Sequence, residues 1–220
     1  MKPLLPSPQL AEQVRDALLA DITAGTLAPG SRLIQEHIAR SLGVSRQPVQ
    51  QALLLLRNQG VLREAPGRGL EVVALQPQQV RHIYELRAAV EALAARMACE
   101  RGADRAARQG PALIEAGRKA LASGSIARMS LADRRFHEFI YELSGNPLIG
   151  PTMAHHWLHI QRVMGAVLAR DDAAPSLVWD EHQALLEAIV RADAPAAQAL
   201  AQQHLLQAAD LLVRRLAASG

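Results

Sequence analysis

The stretch Ile38-Ala39-Arg40-Ser41-Leu42-Gly43-Val44-Ser45-Arg46-Gln47-Pro48-Val49-Gln50-Gln51-Ala52-Leu53 decides the fold. Gly43 stops a short helix carrying Ile38 and Leu42, and Ser45 stands where it can cap the next one. In that next helix Val49, Ala52, Leu53 and Leu56 recur at helical spacing and turn one face inward, until Gly60 ends it. Two helices around a tight glycine-containing turn read as a helix-turn-helix.

Upstream, Leu10, Val14, Leu18 and Ile22 stand four residues apart, which predicts an amphipathic helix closed off by Gly25 and Pro29-Gly30. Downstream, Val61-Leu62-Arg63-Glu64 and Leu70-Glu71-Val72-Val73 flank Ala65-Pro66-Gly67-Arg68-Gly69. Two short extended runs around a Pro/Gly turn predict a β-hairpin, the wing of a winged helix-turn-helix. Residues 1–75 are therefore expected to form one domain.

From Pro77 onward the signal is helical throughout. The stretches run near 78–101, 104–122, 126–144, 147–169, 174–192 and 195–218, cut by Gly102, Gly124, Gly145-Asn146-Pro147, Pro175 and Pro195. Six helices of this length predict an all-α bundle over residues 80–220. The expected architecture is mainly α: an N-terminal winged helix-turn-helix with a small β-hairpin wing, a linker at 76–79 short enough to transmit motion, and a C-terminal six-helix bundle.

Composition agrees. Half of the 220 residues are hydrophobic and a fifth are charged, which excludes a disordered chain, while an aromatic content of only 3% favours helices over sheets. Charged or amide residues interrupt every apolar run before membrane-spanning length, so no membrane partner is expected. Cys99 is the single cysteine and can form neither an internal disulfide nor a thiolate zinc cluster, which suits a reducing cytoplasm and restricts any metal to nitrogen and oxygen ligands. The net charge of +3, from 24 basic and 21 acidic residues, is too small for binding to nucleic acid by bulk charge. Double-stranded DNA as a partner must rest on a docking motif.

Such a motif is present. The first turn of the second helix of a helix-turn-helix meets base edges in the major groove. Here that turn is Ser45-Arg46-Gln47-Pro48-Val49-Gln50. Arg46 can fork onto guanine or a phosphate, Gln47 and Gln50 can pair bidentately with adenine, and Ser45 can cap the helix while touching the backbone. In the wing, Gly67 and Gly69 permit close approach and Arg68 can enter a narrow minor groove. A trihelical interaction module whose polar residues face solvent is the alternative; helix, turn, helix and Gly-Arg-Gly hairpin in this order favour DNA.

These residues resemble a known family. Gly-Thr-Leu-Ala-Pro-Gly-Ser-Arg-Leu at 25–33, Leu-Gly-Val-Ser-Arg-Gln-Pro-Val at 42–49 and Gly-Arg-Gly at 67–69 are similar to the N-terminal domain of GntR-family bacterial transcription regulators. The resemblance implies operator binding as a homodimer, with Arg32 at the end of the first motif among the DNA-binding positions. Where the family usually has Arg-Glu-Ala-Leu after Pro-Val, this chain has Gln50-Gln51-Ala52-Leu53, which removes a charge-assisted DNA contact.

The bundle carries a second constellation. Asp133 and His137 stand four apart, so both lie on one helical face. His182 shares a face with Leu185, Leu186 and Ile189, and His204 with Leu200, Ala208 and Leu211. All four could point into one interior, where three imidazoles and a carboxylate suit Zn²⁺, Ni²⁺ or Mn²⁺. Each histidine alone reads equally as a hydrogen-bonded core residue. Asp133-Arg-Arg-Phe-His137, Ser144-Gly-Asn-Pro147, Glu181-His182 and His204 resemble the FCD effector domain of FadR-type GntR regulators, in its six-helix VanR-like form. That resemblance implies a divalent metal, zinc foremost, on these four residues. Arg87 faces inward near Ile83 and Val90; its partner is either Glu91, one turn on, or the carboxylate of a small acid effector. His159, with Arg162 on the fourth bundle helix, is a further candidate for the effector pocket. The expected function is a repressor released by a small organic acid, against a metal hydrolase or a non-DNA adaptor.

Overall fold

The first unit begins with α1 (Pro8–Thr23), continues through β1 (Arg32–Leu33), α2 (Gln35–Leu42) and α3 (Arg46–Asn58), and ends with β2 (Leu62–Glu64) and β3 (Leu70–Val72). The computed structural model describes residues 8–67, 69–168 and 177–218, and the chain divides into two compact units, residues 1–75 and 76–220. Ala11, Val14, Leu18 and Ile22 are the buried stripe of α1, whereas Leu10, expected to start it, is exposed. In α3, Val49, Ala52, Leu53 and Leu56 are all buried, as their spacing predicts.

The second helix departs from expectation. Ala39 is its buried residue, Ile38 is half-buried and Leu42 is exposed. Eight residues give barely two turns, and Gly43 ends them in the left-handed conformation at φ 65°, which leaves little length over which to build an apolar stripe.

The wing is larger than the expected hairpin. β2 and β3 pair antiparallel in the register Leu62↔Val72, Arg63↔Glu71, Glu64↔Leu70, and β1 adds to the other edge of β3, giving the order β1-β3-β2. A strand of two residues is too short for alternation to reveal it. Gly67 and Gly69 sit at φ 98° and 97°, where a side chain would be strained, so the turn depends on both glycines.

The second unit is helical throughout its described residues: α4 (Pro77–Arg101), α5 (Ala103–Ala122), α6 (Ile126–Leu143), α7 (Ile149–Leu168), α8 (Val178–Val190) and α9 (Ala194–Ala217). Residues 77–79, expected as linker, form the first turn of α4. Pro77 suits that place because its missing N–H would lack a helical partner there anyway. Before α7, the Asn146 side chain accepts from the Leu148 N–H at 3.1 Å, a capping role.

Small residues let these helices approach closely. Ala88, Ala92 and Ala95 of α4 and Ala197, Ala201 and Ala209 of α9 are buried, and these two helices share the most extensive contact in the bundle. A Cβ added at Gly110 of α5 would lie 2.4 Å from Leu186, and one at Gly117 only 2.1 Å from the Trp179 ring. Both glycines thus hold α5 against α8, beside His182. No helix among the described residues is long and apolar enough to cross a membrane.

Candidate metal centre and nucleic-acid face

Three helices deliver the polar cluster. Asp133 and His137 project from one face of α6, His182 comes from α8 and His204 from α9, and all four are buried. His182 Nε2 faces His204 Nε2 at 3.2 Å, and Asp133 Oδ1 lies 3.6 Å from His137 Nε2 and 3.7 Å from His182 Nε2. One ring nitrogen from each of the three histidines lies within 4.8 Å of the others. Phe136 stacks on the His182 ring at 4.4 Å, and Trp179 meets its edge at 4.8 Å, which fixes the imidazole between two aromatic walls.

The donor set fits a divalent metal. Two nitrogens each about 2.0–2.1 Å from a tetrahedral ion stand about 3.3–3.4 Å apart, close to the observed His182–His204 separation, and the Asp133 oxygen is a few tenths of an ångström further out. Two of the three opposite ring nitrogens face a carboxylate, as those of metal-ligating histidines usually do. His204 Nδ1 contacts Glu181 Oε2 at 2.6 Å, and His137 Nδ1 lies 2.5 Å from Glu91 Oε2, off the ideal N–H line. Among the described residues both His137 ring nitrogens and His182 Nδ1 are buried without a well-aligned hydrogen bond, His137 Nδ1 having only the close Glu91 carboxylate.

The electrostatics call for positive charge at the cluster. Burial alone would raise the Asp133 carboxyl, but His137, His182 and Arg87 hold it well below the ordinary carboxylate range. Burial would lower His137, yet Glu91 and Asp133 lift it to about 9. His182 is driven the other way, by burial first and then by His204 and His137. Without a metal, the neighbouring carboxylates thus favour a protonated His137, while burial disfavours charge on His182.

Beside the cluster, the first of the two sequence alternatives for Arg87 is realised. Its Nε donates to Glu91 Oε1 at 2.8 Å, so the intrahelical pair forms, and Tyr141 Oη donates to the same oxygen at 2.8 Å. The guanidinium carbon sits 5.0 Å from the Tyr84 ring centre and 4.9 Å from that of Trp157. Arg87 Nη2 and Trp157 Nε1 remain buried donors with no partner among the described residues. Burial would raise the Glu91 carboxyl, but Arg87 and then His137 hold it down at about 2. His159 is buried on α7, two positions from Trp157 and hence facing a different side of that helix.

In the first unit, Arg46, Gln47 and Gln50 are exposed at the start of α3. Ser45 occupies the N-cap position in extended conformation, but its side chain accepts no capping hydrogen bond, contrary to expectation. Gln35 Nε2 donates instead to the Arg46 carbonyl at 2.7 Å and ties α2 to the start of α3. With the Ser45 hydroxyl not engaged as a cap, it stays available at the exposed surface. Arg46 Nη2 lies 3.3 Å from Glu36, an exposed pair that costs little to exchange for another anion. Arg32 donates to the Pro66 carbonyl and braces the wing turn, with Gly67 and Gly69 next in the chain; Arg68 lies outside the described residues.

The structure adds three polar residues that the sequence reading did not assign. In the sequence Glu91 reads as a partner for Arg87 and Glu181 as part of a motif, while Tyr141 carries no signal. A carboxylate immediately before a candidate ligand, as Glu181 precedes His182, was a usable signal. The Tyr141–Glu91 contact spans 50 residues and left no local trace.

Comparison with known proteins joins the two halves. Residues 10–72 match the family described as bacterial regulatory proteins, gntR family, and residues 82–207 match the FCD domain. An HTH-type transcriptional regulator from an unstable DNA locus of Streptomyces ambofaciens is 30% identical over 81% of this chain and 75% of its own length. The HTH-type transcriptional repressor RspR of Escherichia coli K12 is 25% identical over 92% of this chain and 88% of its own. Among solved structures, E. coli McbR/YncC superposes with a TM-score of 0.79 at 24% identity, covering 96% of this chain and 99% of the other. These relatives are transcriptional regulators and not enzymes, which sets the hydrolase reading aside. The chain belongs to the GntR family, carries an FCD domain, and is a DNA-binding transcriptional regulator.

Proposed function

We propose that this regulator is a repressor, released from its operator when a small carboxylic acid binds beside a divalent metal in the FCD domain. The observation that carries the reading is the convergence of His137, His182 and His204 next to two buried, unfilled donors, Arg87 Nη2 and Trp157 Nε1. Buried donors without acceptors are costly, and a carboxylate supplies the acceptor oxygens they lack. Asp133, His137, His182 and His204 would hold the metal, zinc foremost with nickel or manganese as alternatives, and the bound ion would offer the effector an oxygen-binding position. Arg87 orients the carboxylate, and the Tyr84 and Trp157 rings exclude water around it. His159 joins this pocket if the ligand extends past Trp157 along α7.

On the DNA side, Ser45, Arg46, Gln47 and Gln50 would read the major groove, while Gly67, Arg68 and Gly69, braced by Arg32, would place the wing on the minor groove. A homodimer would read a pseudo-palindrome. The repressor sign is supported by the relative RspR, whose name describes a transcriptional repressor.

The test begins by selecting an operator from random duplexes with the full-length, zinc-loaded protein. Small carboxylic acids are then titrated into the complex. Release by at least one acid, abolished in Arg87→Met while operator affinity is kept, supports the proposal. Release that survives in Arg87→Met contradicts it.

A further inference from the structure

Glu91 touches both halves of the bundle site. Its Oε1 accepts from Arg87 Nε and from Tyr141 Oη, each at 2.8 Å, while its Oε2 lies 2.5 Å from His137 Nδ1. The three contacts come from α4 and α6, and every participant is buried. A carboxylate that only neutralised Arg87 would need neither the tyrosine nor the imidazole.

We propose that Glu91 is the positioning residue of the metal centre, fixing His137 with its proton on Nδ1 and its free lone pair on Nε2. The inference rests on the metal reading above and deepens it. Without an acceptor at Nδ1, an imidazole in a buried site can place its proton on either nitrogen, and only one tautomer presents Nε2 to a metal. Glu91 selects that tautomer and makes the ring a stronger donor. Arg87 and Tyr141 in turn hold the carboxylate in place through its other oxygen.

The arrangement also joins the anion site to the metal site. Arg87 holds Glu91 through Nε and has Nη2 left over, so an effector carboxylate at Nη2 shares its guanidinium with Glu91. As the effector takes up part of that positive charge, more of the Glu91 charge falls on His137 Nδ1–H and strengthens the ring as a ligand. Anion and metal then bind cooperatively, and linkage requires the effect to be mutual.

The experiment measures Zn²⁺ affinity, by competition with a chromogenic chelator, on full-length wild type, Glu91→Gln and the double variant Arg87→Met/Glu91→Gln. The double variant removes both charges of the buried pair together and so protects the fold against a stranded cation. The expected result is an affinity loss of about 10–100-fold in both variants, the range for groups that orient metal-bound histidines. Nitrogen-15 NMR of the metal-free protein, at a pH above 9 where His137 is neutral, should show its proton on Nδ1 in the wild type and a weaker preference for that tautomer in Glu91→Gln, a signature that a purely structural Glu91 would not determine. Wild-type affinity in Glu91→Gln overturns the proposal, as does a single variant that loses zinc while the double variant fully recovers it. In that last case the stranded Arg87 cation, and not the missing carboxylate, repels the metal. A wild type that takes up no zinc removes the metal reading itself, and this inference with it.

Discussion

His182 and His204 face one another through their Nε2 atoms at 3.2 Å, from different helices and out of contact with bulk water. Two neutral imidazoles can share one proton at that distance, but the adjacent Asp133 oxygen and the His137 ring make a four-membered donor set around one point. The pair is thus the structural core of the metal reading. His182→Ala is expected to abolish stoichiometric metal binding and the stabilisation that goes with it. At a metal concentration one hundred times the dissociation constant that stabilisation is about 2.7 kcal/mol. Thermal unfolding with and without added zinc checks this: the wild type should gain stability on zinc addition and the variant should not. An equal gain in both proteins would contradict it.

Arg46→Ala is expected to weaken operator binding while leaving metal content unchanged. Its guanidinium is exposed and paired only with surface carboxylate, so little folding energy is at stake. Loss of a bidentate guanine contact removes about 1–3 kcal/mol of discrimination. If Arg46 instead meets a phosphate, the variant weakens all duplexes alike and the salt dependence of binding falls by about one counterion. Gel-shift titration over a range of salt concentrations, with metal analysis of the same samples, separates the two cases. Operator binding unchanged in the variant would remove Arg46 from the interface.

Gln50 stands exposed on α3 where the family usually carries arginine. An exposed glutamine at this place favours adenine through a bidentate pair. Selection from random duplexes should show adenine enriched at one position, with the preference lost in Gln50→Ala. Equal representation of all four bases there in the wild-type selection would contradict the assignment.

Gly117→Ala tests how the bundle is held shut. Alanine gains about 1 kcal/mol of helix propensity over glycine. The new methyl, however, would stand 2.1 Å from the Trp179 ring, far inside contact distance. A large ring packed against α5 cannot yield without moving α8, and overpacking costs about 1–3 kcal/mol. The steric cost is expected to win, lowering the urea midpoint and loosening zinc, because Trp179 also bounds His182. An unchanged or raised midpoint would show that α5 and α8 can separate freely.

Much of this architecture was legible from punctuation and period. Gly43, Gly60, Gly102, Gly124 and Pro195 end or begin helices close to where they predict, and Val49, Ala52, Leu53 and Leu56 form the buried face of α3. Asp133 and His137 were legible because both residues lie on one face of a single helix. Features set by contacts between distant segments were less so. β1 is too short to show alternation and exists because β3 offers it an edge. Leu42 is exposed at the end of a helix of only eight residues, on which Ala39 is the buried residue. On α9 the buried face runs through Ala201, Leu205 and Leu212, beside His204, and not through the expected Leu200, Ala208 and Leu211, which are half-buried. An alanine-rich helix with apolar residues on several sides has no sharp stripe to read. Gly110 and Gly117, seven residues apart on α5, did offer a local sign of close packing, but only the structure names Leu186 and Trp179 as what fills the gap.

The central claim is that the FCD domain of this regulator holds a divalent metal. Native mass spectrometry of untagged protein, purified without chelator, tests it most directly, because one spectrum reports metal, oligomeric state and any bound acid together. The expected spectrum is that of a dimer with one divalent metal per chain. A chain that arrives metal-free and takes up neither added Zn²⁺ nor Ni²⁺ would contradict it, reducing Asp133, His137, His182 and His204 to a buried hydrogen-bonded cluster.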